Sequence, residues 1–440
     1  MKELIRKITP LFVLNSYHYF LAFTGALFYG FPSKRLKVIA VTGTKGKSSV
    51  VDMIVSIFEE AGYKTGSISS VRFKIKDKEW QNRLKMTMPG RMKIQKFLKQ
   101  ALNEGCQYFI LETTSEGIKQ YRHKFINFDA AVLTNLSPEH IESHGSYEKY
   151  RKAKLELFKI TRNIHIINSD EKDTEYFLEV PADKKILYGI KDWKLELGGN
   201  DFIKAEDLKT YPDKISFKVN GIEFNMNLLG AFNALNALAA ISTALSYGIS
   251  YETIKRGLEK IKGIKGRMEV VVKEPFSVIV DYAHTPDSLL KVYETLTSYS
   301  SDISVLDRKP YQSNLICVLG ACGGGRDKWK RPVMGKIAAN HCKKIILTNE
   351  DPYDENHYEI LSMVKSGILE SDFKKSDFCE ILDRREAIRK ALEMARQDDV
   401  VIITGKGSEP WMCVEKGKKI PWDDRKVVKE EFDKIKKMNI

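Results

Sequence analysis

The chain has 440 residues, too many for one hydrophobic core, so we expect two or three domains. Its 43% apolar and 30% charged residues are typical of a soluble globular protein and argue against a disordered chain. The net charge of +14 favours anionic partners, but no aromatic–basic motif is present, so we expect no nucleic-acid partner. The six cysteines lack metal-ligand spacing and no signal-peptide pattern occurs, so we expect reduced thiols in the cytoplasm.

The first predicted element is an apolar and aromatic helix within residues 11–30. This segment is about as long as a membrane span needs to be. Four polar residues interrupt it, namely Asn15, Ser16, His18 and Thr24. We therefore favour a helix that packs on the protein or lies in a membrane interface over one that spans the bilayer. Of the first two, we favour packing.

A glycine-rich loop follows a strand predicted at Val38–Val41 and precedes a helix predicted at Val50–Ala61. Strand, loop and helix start form a cradle in which backbone N–H groups and the helix dipole face a phosphate. Lys47 would reach that phosphate, and Ser48 or Ser49 would hold Mg²⁺. A glycine-rich turn with a surface lysine is the alternative. The predicted nucleotide-binding residues here are Gly43, Thr44, Lys45, Gly46, Lys47, Ser48 and Ser49.

Strand and helix patterns then alternate, which predicts α/β layers around a mostly parallel sheet. Glu112 ends a buried strand beside the phosphate strand, where a carboxylate is well placed to hold Mg²⁺. A lone strand-end Glu is more often a cap or an ion-pair partner. His140, just past the next strand, is by itself more often structural, and Lys154 lies on an ordinary charged helix. The strands are predicted at Tyr108–Glu112, Ala130–Thr134 and His165–Asn168.

The remaining chain is predicted to hold a β-rich, antiparallel excursion at residues 191–227, an apolar helix at 230–247 and a second α/β block from Gly266. We interpret residues 298–313 as a loop or excursion. Strands of the second block are predicted at Ser277–Asp281, Leu315–Leu319, Lys344–Thr348 and Val400–Thr404, and helices at Asp287–Thr297 and Arg385–Arg396.

Together these motifs resemble the Mur ligases, and within them the UDP-N-acetylmuramyl-tripeptide synthetase branch. The similarity covers roughly residues 36–425, in the family's order. In the first half it rests on Gly43-Thr-Lys-Gly-Lys-Ser-Ser, Glu112-Thr-Thr-Ser, Thr134-Asn-Leu-Ser, His140, His144-Gly and Tyr150-x-x-Ala-Lys154-x-x-Leu-Phe. In the second half it rests on Gly230-x-x-Asn-x-x-Asn, Gly266-Arg-Met-Glu, Asp281-Tyr-Ala-His-Thr-Pro-Asp, Gly323-Gly-Gly-Arg-Asp and Gly405-Lys-Gly-Ser-Glu.

The resemblance implies a central P-loop ATPase domain with a mostly parallel sheet at 36–266 and a Rossmann-like C-terminal α/β domain at 267–440. A short helical segment at 1–35 precedes them. From the residues themselves we expect a monomer in the cytoplasm, with peripheral contact at the inner membrane face through residues 11–30 as an option.

The resemblance further implies ATP-dependent amide-bond formation through an acyl phosphate. Lys47, Lys154, His140 and Arg267 would be catalytic, and Ser48, Glu112, His140 and a carbamylated Lys154 would serve two Mg²⁺ ions. Asn233, Asn236, Arg267, Asp281 and His284 would contact the nucleotide. An anionic acceptor resembling a UDP-muramyl peptide would meet Thr87, Thr113, Thr114 and Arg122. The incoming free amino acid would meet Arg326, Glu350, Asp351, Gly405 and Glu409.

Several positions depart from the family pattern. Only about 35 residues precede the phosphate strand, which puts recognition of UDP in doubt. Glu116, Glu139 and Ser408 replace His, Asp and His of the usual motifs. Where diaminopimelate-adding members read Asp-Asn-Pro-Arg, this chain reads Glu350-Asp-Pro-Tyr353. Two interpretations stay open: an acidic pocket that favours a basic amino acid, or a loop that packs differently.

Two alternative functions also stay open. A polyglutamate- or folate-type ligase would act on another acceptor, although the Asp281-Tyr-Ala-His-Thr-Pro-Asp motif argues against it. A membrane-associated nucleotide-binding scaffold is the second alternative, which the presence of Lys47, Glu112, His140 and Lys154 disfavours.

Overall fold

The computed structural model describes residues 9–84, 86–139, 141–193, 201–298 and 314–438. The chain divides into two compact units. The first unit comprises residues 1–208, 216–226 and 233–261, and the second comprises 209–215, 227–232 and 262–440.

The first unit is built on a nine-stranded sheet. Its strands are β1 (Lys37–Thr42), β2 (Thr65–Ile68), β3 (Arg72–Ile75), β4 (Lys78–Gln81), β5 (Tyr108–Glu112), β6 (Phe128–Leu133), β7 (Ile164–Asn168), β8 (Lys184–Gly189) and β9 (Asp201–Lys204). They are arranged in the order β4-β3-β2-β5-β1-β6-β7-β8-β9. The run from β2 to β9 is parallel, whereas β2, β3 and β4 form an antiparallel meander. The carboxyl ends of β1, β5 and β6 therefore lie side by side.

Helices cover this sheet, and their boundaries follow local sequence signals. They are α1 (Leu11–Phe28), α2 (Lys47–Glu60), α3 (Arg91–Asn103), α4 (Ser115–Lys119), α5 (Ile141–His144), α6 (Tyr147–Ile160), α7 (Thr174–Leu178), α8 (Phe232–Ser246) and α9 (Tyr251–Glu259), with a 3₁₀ turn at Pro32–Arg35. The Ser146 hydroxyl caps α6 by accepting the N–H of Lys149. The central strand β1 is fully buried from Val38 to Val41, as expected for a parallel strand covered on both faces.

Helix α1 packs on the first unit through its smallest residues. Ala22 and Ala26 are buried, and a Cβ at Gly25 would lie 3.1 Å from the Cα of Met92 on α3. Aromatic rings of the same helix contact Phe125. Within the described ranges, no helix is both long and apolar enough to cross a membrane.

The segment predicted as an antiparallel excursion, residues 191–227, needs a correction. Strand β9 pairs in parallel with β8 and so extends the main sheet instead of leaving it. The later strands form a separate three-stranded sheet in the order β10-β11-β12. These strands are β10 (Glu206–Thr210), β11 (Ile215–Val219) and β12 (Ile222–Met226).

The second unit contains a six-stranded sheet and a two-stranded sheet. The strands are β13 (Glu269–Val272), β14 (Ser277–Val280), β15 (Leu315–Leu319), β16 (Lys344–Leu347), β17 (Phe378–Glu380), β18 (Val400–Ile403), β19 (Trp411–Cys413) and β20 (Lys419–Pro421). The helices are α10 (Pro286–Ser298), α11 (Lys330–His341), α12 (His357–Leu369), α13 (Arg384–Met394) and α14 (Asp424–Met438), with 3₁₀ turns at Lys375–Asp377 and Glu415–Gly417.

The order of the larger sheet is β13-β14-β18-β15-β16-β17, and every pair is parallel except β13–β14. Apolar side chains pack on both faces of this sheet. The expected α/β architecture with two sheet-containing blocks is confirmed.

The expectation of reduced thiols does not hold for two of the six cysteines. Cys317 on β15 and Cys342 form a disulfide. Cys342 lies two residues before β16, the parallel neighbour of β15, and this topology brings the two residues together. Their separation of 25 residues carried no signal in the sequence. The other four are free thiols, at Cys106, Cys322, Cys379 and Cys413.

Candidate functional site

The glycine-rich loop lies between the carboxyl end of β1 and the first turn of α2. Gly43 and Gly46 have φ angles of 149° and 79°, which residues with a Cβ rarely adopt. A Cβ at Gly43 would lie 1.9 Å from the Thr134 hydroxyl oxygen, and one at Gly46 would lie 2.2 Å from Oδ1 of Asn236. Both glycines are therefore required by backbone conformation and by space.

Lys47 is the first residue of α2, and its side chain folds back over the loop. Its Nζ donates to the carbonyl oxygens of Gly43 at 3.0 Å and Thr44 at 2.8 Å. An ammonium group held over a loop at a helix N-terminus is suited to an anion. The arrangement can therefore neutralise a phosphate group bound to the loop.

Glu112, at the end of β5, lies against the same helix start. Its Oε2 accepts the Ser48 hydroxyl at 2.8 Å and the backbone N–H of Ser70 at 2.7 Å, and its Oε1 accepts the Ser70 hydroxyl at 3.0 Å. These hard oxygen donors suit Mg²⁺, which usually takes one or two protein ligands and completes its shell with water and phosphate oxygens. No group of three or more His, Cys, Asp or Glu residues able to hold a metal occurs in the described parts of the chain.

Lys154, on α6, is 1% exposed, and its Nζ donates to the Gly43 carbonyl at 2.7 Å. Burial, followed by repulsion from Lys47, holds the pKa of the Lys154 amine well below its ordinary value. A neutral amine is nucleophilic, whereas an ammonium is not. The helical sequence pattern gave no indication of this buried environment.

The loop is fixed by residues from the segment after β6. The N–H of Lys45 donates to Oδ1 of Asn135 at 2.7 Å, and Nζ of Lys45 pairs with Glu139 at 2.9 Å. The Thr44 hydroxyl shares a 2.9 Å hydrogen bond with the hydroxyl of Tyr150. Ser49 is buried in the first turn of α2. His140, predicted to bind metal, lies outside the described residues.

The four residues predicted to meet the acceptor each make contacts within the first unit. Thr87 bonds the hydroxyl of Ser70 at 2.7 Å, so it connects indirectly to the Glu112 carboxylate. Thr114 caps α4 by accepting the N–H of Gly117 at 3.1 Å, and Thr113 is fully buried. Arg122 contacts the Met88 carbonyl, and its Nη2 donates to Oε1 of Gln120 at 2.7 Å. The four residues thus belong to neighbouring segments of the first unit.

Asn233 and Asn236 lie on α8, one turn apart. Nδ2 of Asn236 donates to Oδ1 of Asn233 at 2.9 Å. Asn236 is also the residue that a Cβ at Gly46 would strike. The predicted adenine ligands therefore lie beside the phosphate loop.

In the second unit, Asp281 organises the loop after β14. Its two carboxylate oxygens accept the N–H groups of Met268 at 2.7 Å and Ala283 at 2.6 Å. The Arg267 guanidinium lies 4.4 Å from the ring centroid of Tyr282. Nδ1 of His284 is 2.7 Å from the Tyr282 carbonyl oxygen. Arg267, Asp281 and His284 are thus brought together around Tyr282.

The residues predicted to meet the amino acid form a charged cluster in the second unit. Nζ of the buried Lys406 donates to Asp351 at 2.8 Å and to Glu409 at 2.5 Å. Glu350 is buried beside Gly405, where a Cβ would lie 2.4 Å from its Oε2. Burial, and then repulsion from Asp351, raise the pKa of Glu350 to about 7.

Tyr353 lies near this cluster in the left-handed conformation, with φ 53°. Its phenol hydrogen-bonds with Arg326, and burial raises its pKa. A Cβ at Gly324 would lie 2.6 Å from the Tyr353 ring. Arg326 is therefore held by a neutral aromatic partner.

Several contact residues were not assigned roles from the sequence. Ser70 binds Glu112 from a loop 42 residues away, and no pattern marked it. Lys406 and Tyr282 lie inside recognised motifs and could have been proposed from them. Asn135 and Tyr150, which hold the phosphate loop, also lie inside recognised motifs.

Comparison with known proteins agrees with this geometry. Residues 41–244 match the Mur ligase middle domain, and residues 266–407 match the Mur ligase, glutamate ligase domain. The UDP-N-acetylmuramoyl-L-alanyl-D-glutamate–2,6-diaminopimelate ligase of Syntrophomonas wolfei is 38% identical over 419 residues, covering 93% of this chain and 81% of that protein. The ligase of the same name from Clostridium tetani is 34% identical, covering 99% and 85%.

Solved structures show the same fold. The chain matches a solved structure of a UDP-N-acetylmuramoyl-L-alanyl-D-glutamate–2,6-diaminopimelate ligase with a TM-score of 0.60 and 28% sequence identity. The match covers 91% of this chain and 79% of that protein. Folylpolyglutamate synthase from Mycobacterium tuberculosis matches in fold, with a TM-score of 0.66 and 15% identity over 89% and 93%. The chain belongs to the Mur ligase family and is an ATP-dependent amide-bond ligase.

Proposed function

We propose that the protein adds an amino acid to a carboxylate of a muramyl-peptide acceptor, with ATP converted to ADP and phosphate. The observation that carries the proposal is the cluster of Lys47, Ser48, Glu112 and Lys154 around one phosphate loop. The named relatives act on UDP-N-acetylmuramoyl-L-alanyl-D-glutamate, and we propose a related acceptor here.

The chemistry needs positioning and charge neutralisation more than a protein nucleophile. A carboxylate oxygen of the acceptor attacks the γ-phosphorus, ADP leaves, and an acyl phosphate forms. The amine of the amino acid then attacks the acyl carbon, phosphate leaves, and the nitrogen loses a proton. Lys47 and the loop amides would hold the β- and γ-phosphates, Asn233 and Asn236 the adenine, and Arg267, Asp281 and His284 would contact the nucleotide.

We propose two Mg²⁺ ions, which supply neutralisation of the phosphate charge when bound. Ser48 and Glu112 are suited to one of them, and His140 is assigned to the metal site by family resemblance. Lys154 would become a carbamate: its neutral amine nitrogen bonds to the carbon of CO₂ and releases a proton. The low pKa of Lys154 and the nearby ammonium of Lys47 support this modification.

The acceptor side would use Thr87, Thr113, Thr114 and Arg122. The amino acid would meet Arg326, Glu350, Asp351, Gly405 and Glu409. Because Lys406 already pairs with Asp351 and Glu409, the cluster is less negative than its sequence indicates. Tyr353 offers no guanidinium for a second carboxylate, so we propose a basic amino acid over diaminopimelate.

We also propose that the protein works as a monomer in the cytoplasm, with peripheral contact at the inner membrane face through residues 11–30. The proposed functional division is 1–35 as a docking segment, 36–266 as the ATP-binding domain and 267–440 as the C-terminal ligase domain.

A phosphate-release assay tests the reaction. The protein receives Mg·ATP, UDP-N-acetylmuramoyl-L-alanyl-D-glutamate, and lysine, ornithine or meso-diaminopimelate. We expect phosphate release that depends on both acceptor and amino acid, and a product heavier by one amino acid less water. Release only with a folate or polyglutamate acceptor would favour the alternative ligase class, and faster turnover with diaminopimelate would refute the basic preference.

A further inference from the structure

Helix α1 is arranged in the reverse of an ordinary surface helix. Its buried residues are small, whereas its largest apolar side chains point outward. Phe12, Phe20 and Phe28 are 71%, 62% and 75% exposed. Of the eighteen large apolar side chains exposed in the described part of the chain, eight lie on this one helix. A soluble protein rarely leaves so large an apolar surface uncovered without a partner.

The exposed side chains all lie on one half of the helix surface, which we call the aromatic stripe. Phe20, Phe23 and Leu27 follow each other at spacings of three and four residues, which places them on one helical face. The Thr24 hydroxyl donates to the Phe20 carbonyl at 3.0 Å, so its polar group is satisfied within the helix. The helix itself contains no charged residue.

The surface beside this stripe is basic. No Asp or Glu occurs from Leu4 to Val51 or from Asn82 to Asn103. Helix α3, which contacts α1 through Met92, carries the exposed lysines Lys93 and Lys96. Lys96 lies one helical turn after Met92, on the same face of α3. The described basic residues on α3 and on the 3₁₀ turn that follows α1 are Lys34, Arg35, Arg91, Lys93, Lys96 and Lys99.

We propose that the aromatic stripe of α1 and the basic surface of α3 together dock the protein on an anionic lipid bilayer. Phe, Tyr and Leu side chains enter the headgroup region, and lysines on the border meet the anionic headgroups. A second copy of the chain is a poorer occupant, because a symmetric contact would bring two basic surfaces together. The proposal builds on the peripheral location given above and does not depend on the ligase chemistry.

Co-sedimentation of the full-length protein with vesicles tests the proposal. We expect binding to vesicles that contain phosphatidylglycerol, weaker binding to pure phosphatidylcholine, and loss of binding at high salt. The substitutions Phe12→Ser, Phe20→Ser and Phe28→Ser, made together, should abolish binding. Because these side chains are exposed, the variant should stay folded, which circular dichroism checks.

Lys93→Glu with Lys96→Glu tests the electrostatic part. Each removed cation near an anionic surface is expected to lower the partition coefficient about fivefold. The matched controls are Tyr358→Ser, another exposed aromatic, and Lys436→Glu with Lys437→Glu on α14, which should bind as the wild type does.

The proposal is overturned if the protein ignores anionic vesicles, or if the α1 and control variants behave alike. It is also overturned if light scattering shows a dimer that the Phe variant converts to monomer, because the stripe would then cover a second copy. Lys47→Ala should still bind vesicles, and the Phe variant should still release phosphate with a soluble acceptor. Membrane docking and ligase activity can therefore fail separately.

Discussion

Individual residues around the phosphate loop are held in place by hydrogen bonds within the protein. Lys47 lies over the carbonyls of Gly43 and Thr44, and Glu112 accepts three hydrogen bonds. A site that is preorganised in this way loses little energy to reorganisation during the reaction. Substitutions here should therefore affect turnover far more than folding.

Lys47→Ala should lower acceptor-dependent phosphate release by ~100-fold or more, because no other group replaces the phosphate-bound ammonium. The melting temperature without nucleotide should change little. Lys436→Ala, an exposed lysine on α14, serves as the control. Phosphate release close to that of the wild type would refute the assignment of the loop.

Lys154→Ala should also lose turnover, and acetate or formate should partly restore it by supplying a carboxylate where the carbamate would be. Lys152→Ala, on an exposed position of the same helix, is the control. A variant without any rescue, together with a wild type that is equally active in CO₂-free buffer, would count against carbamylation.

Glu350 gives a pH dependence to stability. Its pKa rises to about 7 in the folded protein, above the value of about 4.3 expected when unfolded. The carboxyl group therefore contributes stability below about pH 4, and this is lost as the pH rises through 7. Glu350→Gln should remove this dependence and raise the free energy of unfolding relative to the wild type at pH 8.

Urea unfolding of the two proteins at pH 5 and pH 8 measures this effect. The difference in the free energy of unfolding between variant and wild type should grow with pH. A difference that is equal at both pH values would show that Glu350 is ionised throughout.

At the scale of elements, the fold was largely readable from the sequence. Fully apolar runs such as Leu315–Leu319 are buried parallel strands. A polar residue at the carboxyl end of such a strand, such as Glu112 on β5, marks the edge of the sheet where the candidate site lies. Pattern alone did not reveal that β9 continues the main sheet, since edge pairing depends on tertiary packing. The sequence pattern could not reveal the hydrogen bond between Ser70 and Glu112 either, because Ser70 lies in a loop and loop residues follow no periodic pattern.

The packing of α1 on α3 depends on small residues at the contact. Gly25→Leu should lower the free energy of unfolding by about 1–3 kcal/mol, since the added side chain would collide with the Met92 backbone. Leu27→Ala, on the exposed stripe, should have a much smaller effect. Equal effects in urea titrations would mean that the helix does not pack as described.

At the scale of the whole molecule, nucleotide should stabilise the protein by mass action. Mg·ATP at 100 times its dissociation constant should raise the free energy of unfolding by about 2.7 kcal/mol. Thermal melts should show this as a higher melting temperature, with much less effect when EDTA removes the metal or when Ser48 is changed to Ala. A metal-independent shift would argue against the Ser48–Glu112 metal site.

Among the described residues, the large sheet ends at the edge strands β4 and β9, each four residues long. Lys78 and Glu79 occupy one edge strand, and Asp201 and Lys204 occupy the other. An unpaired strand can accept a strand from another molecule and so begin aggregation, and short charged edges oppose this. These short charged edges therefore disfavour the pairing of strands between molecules at high protein concentration.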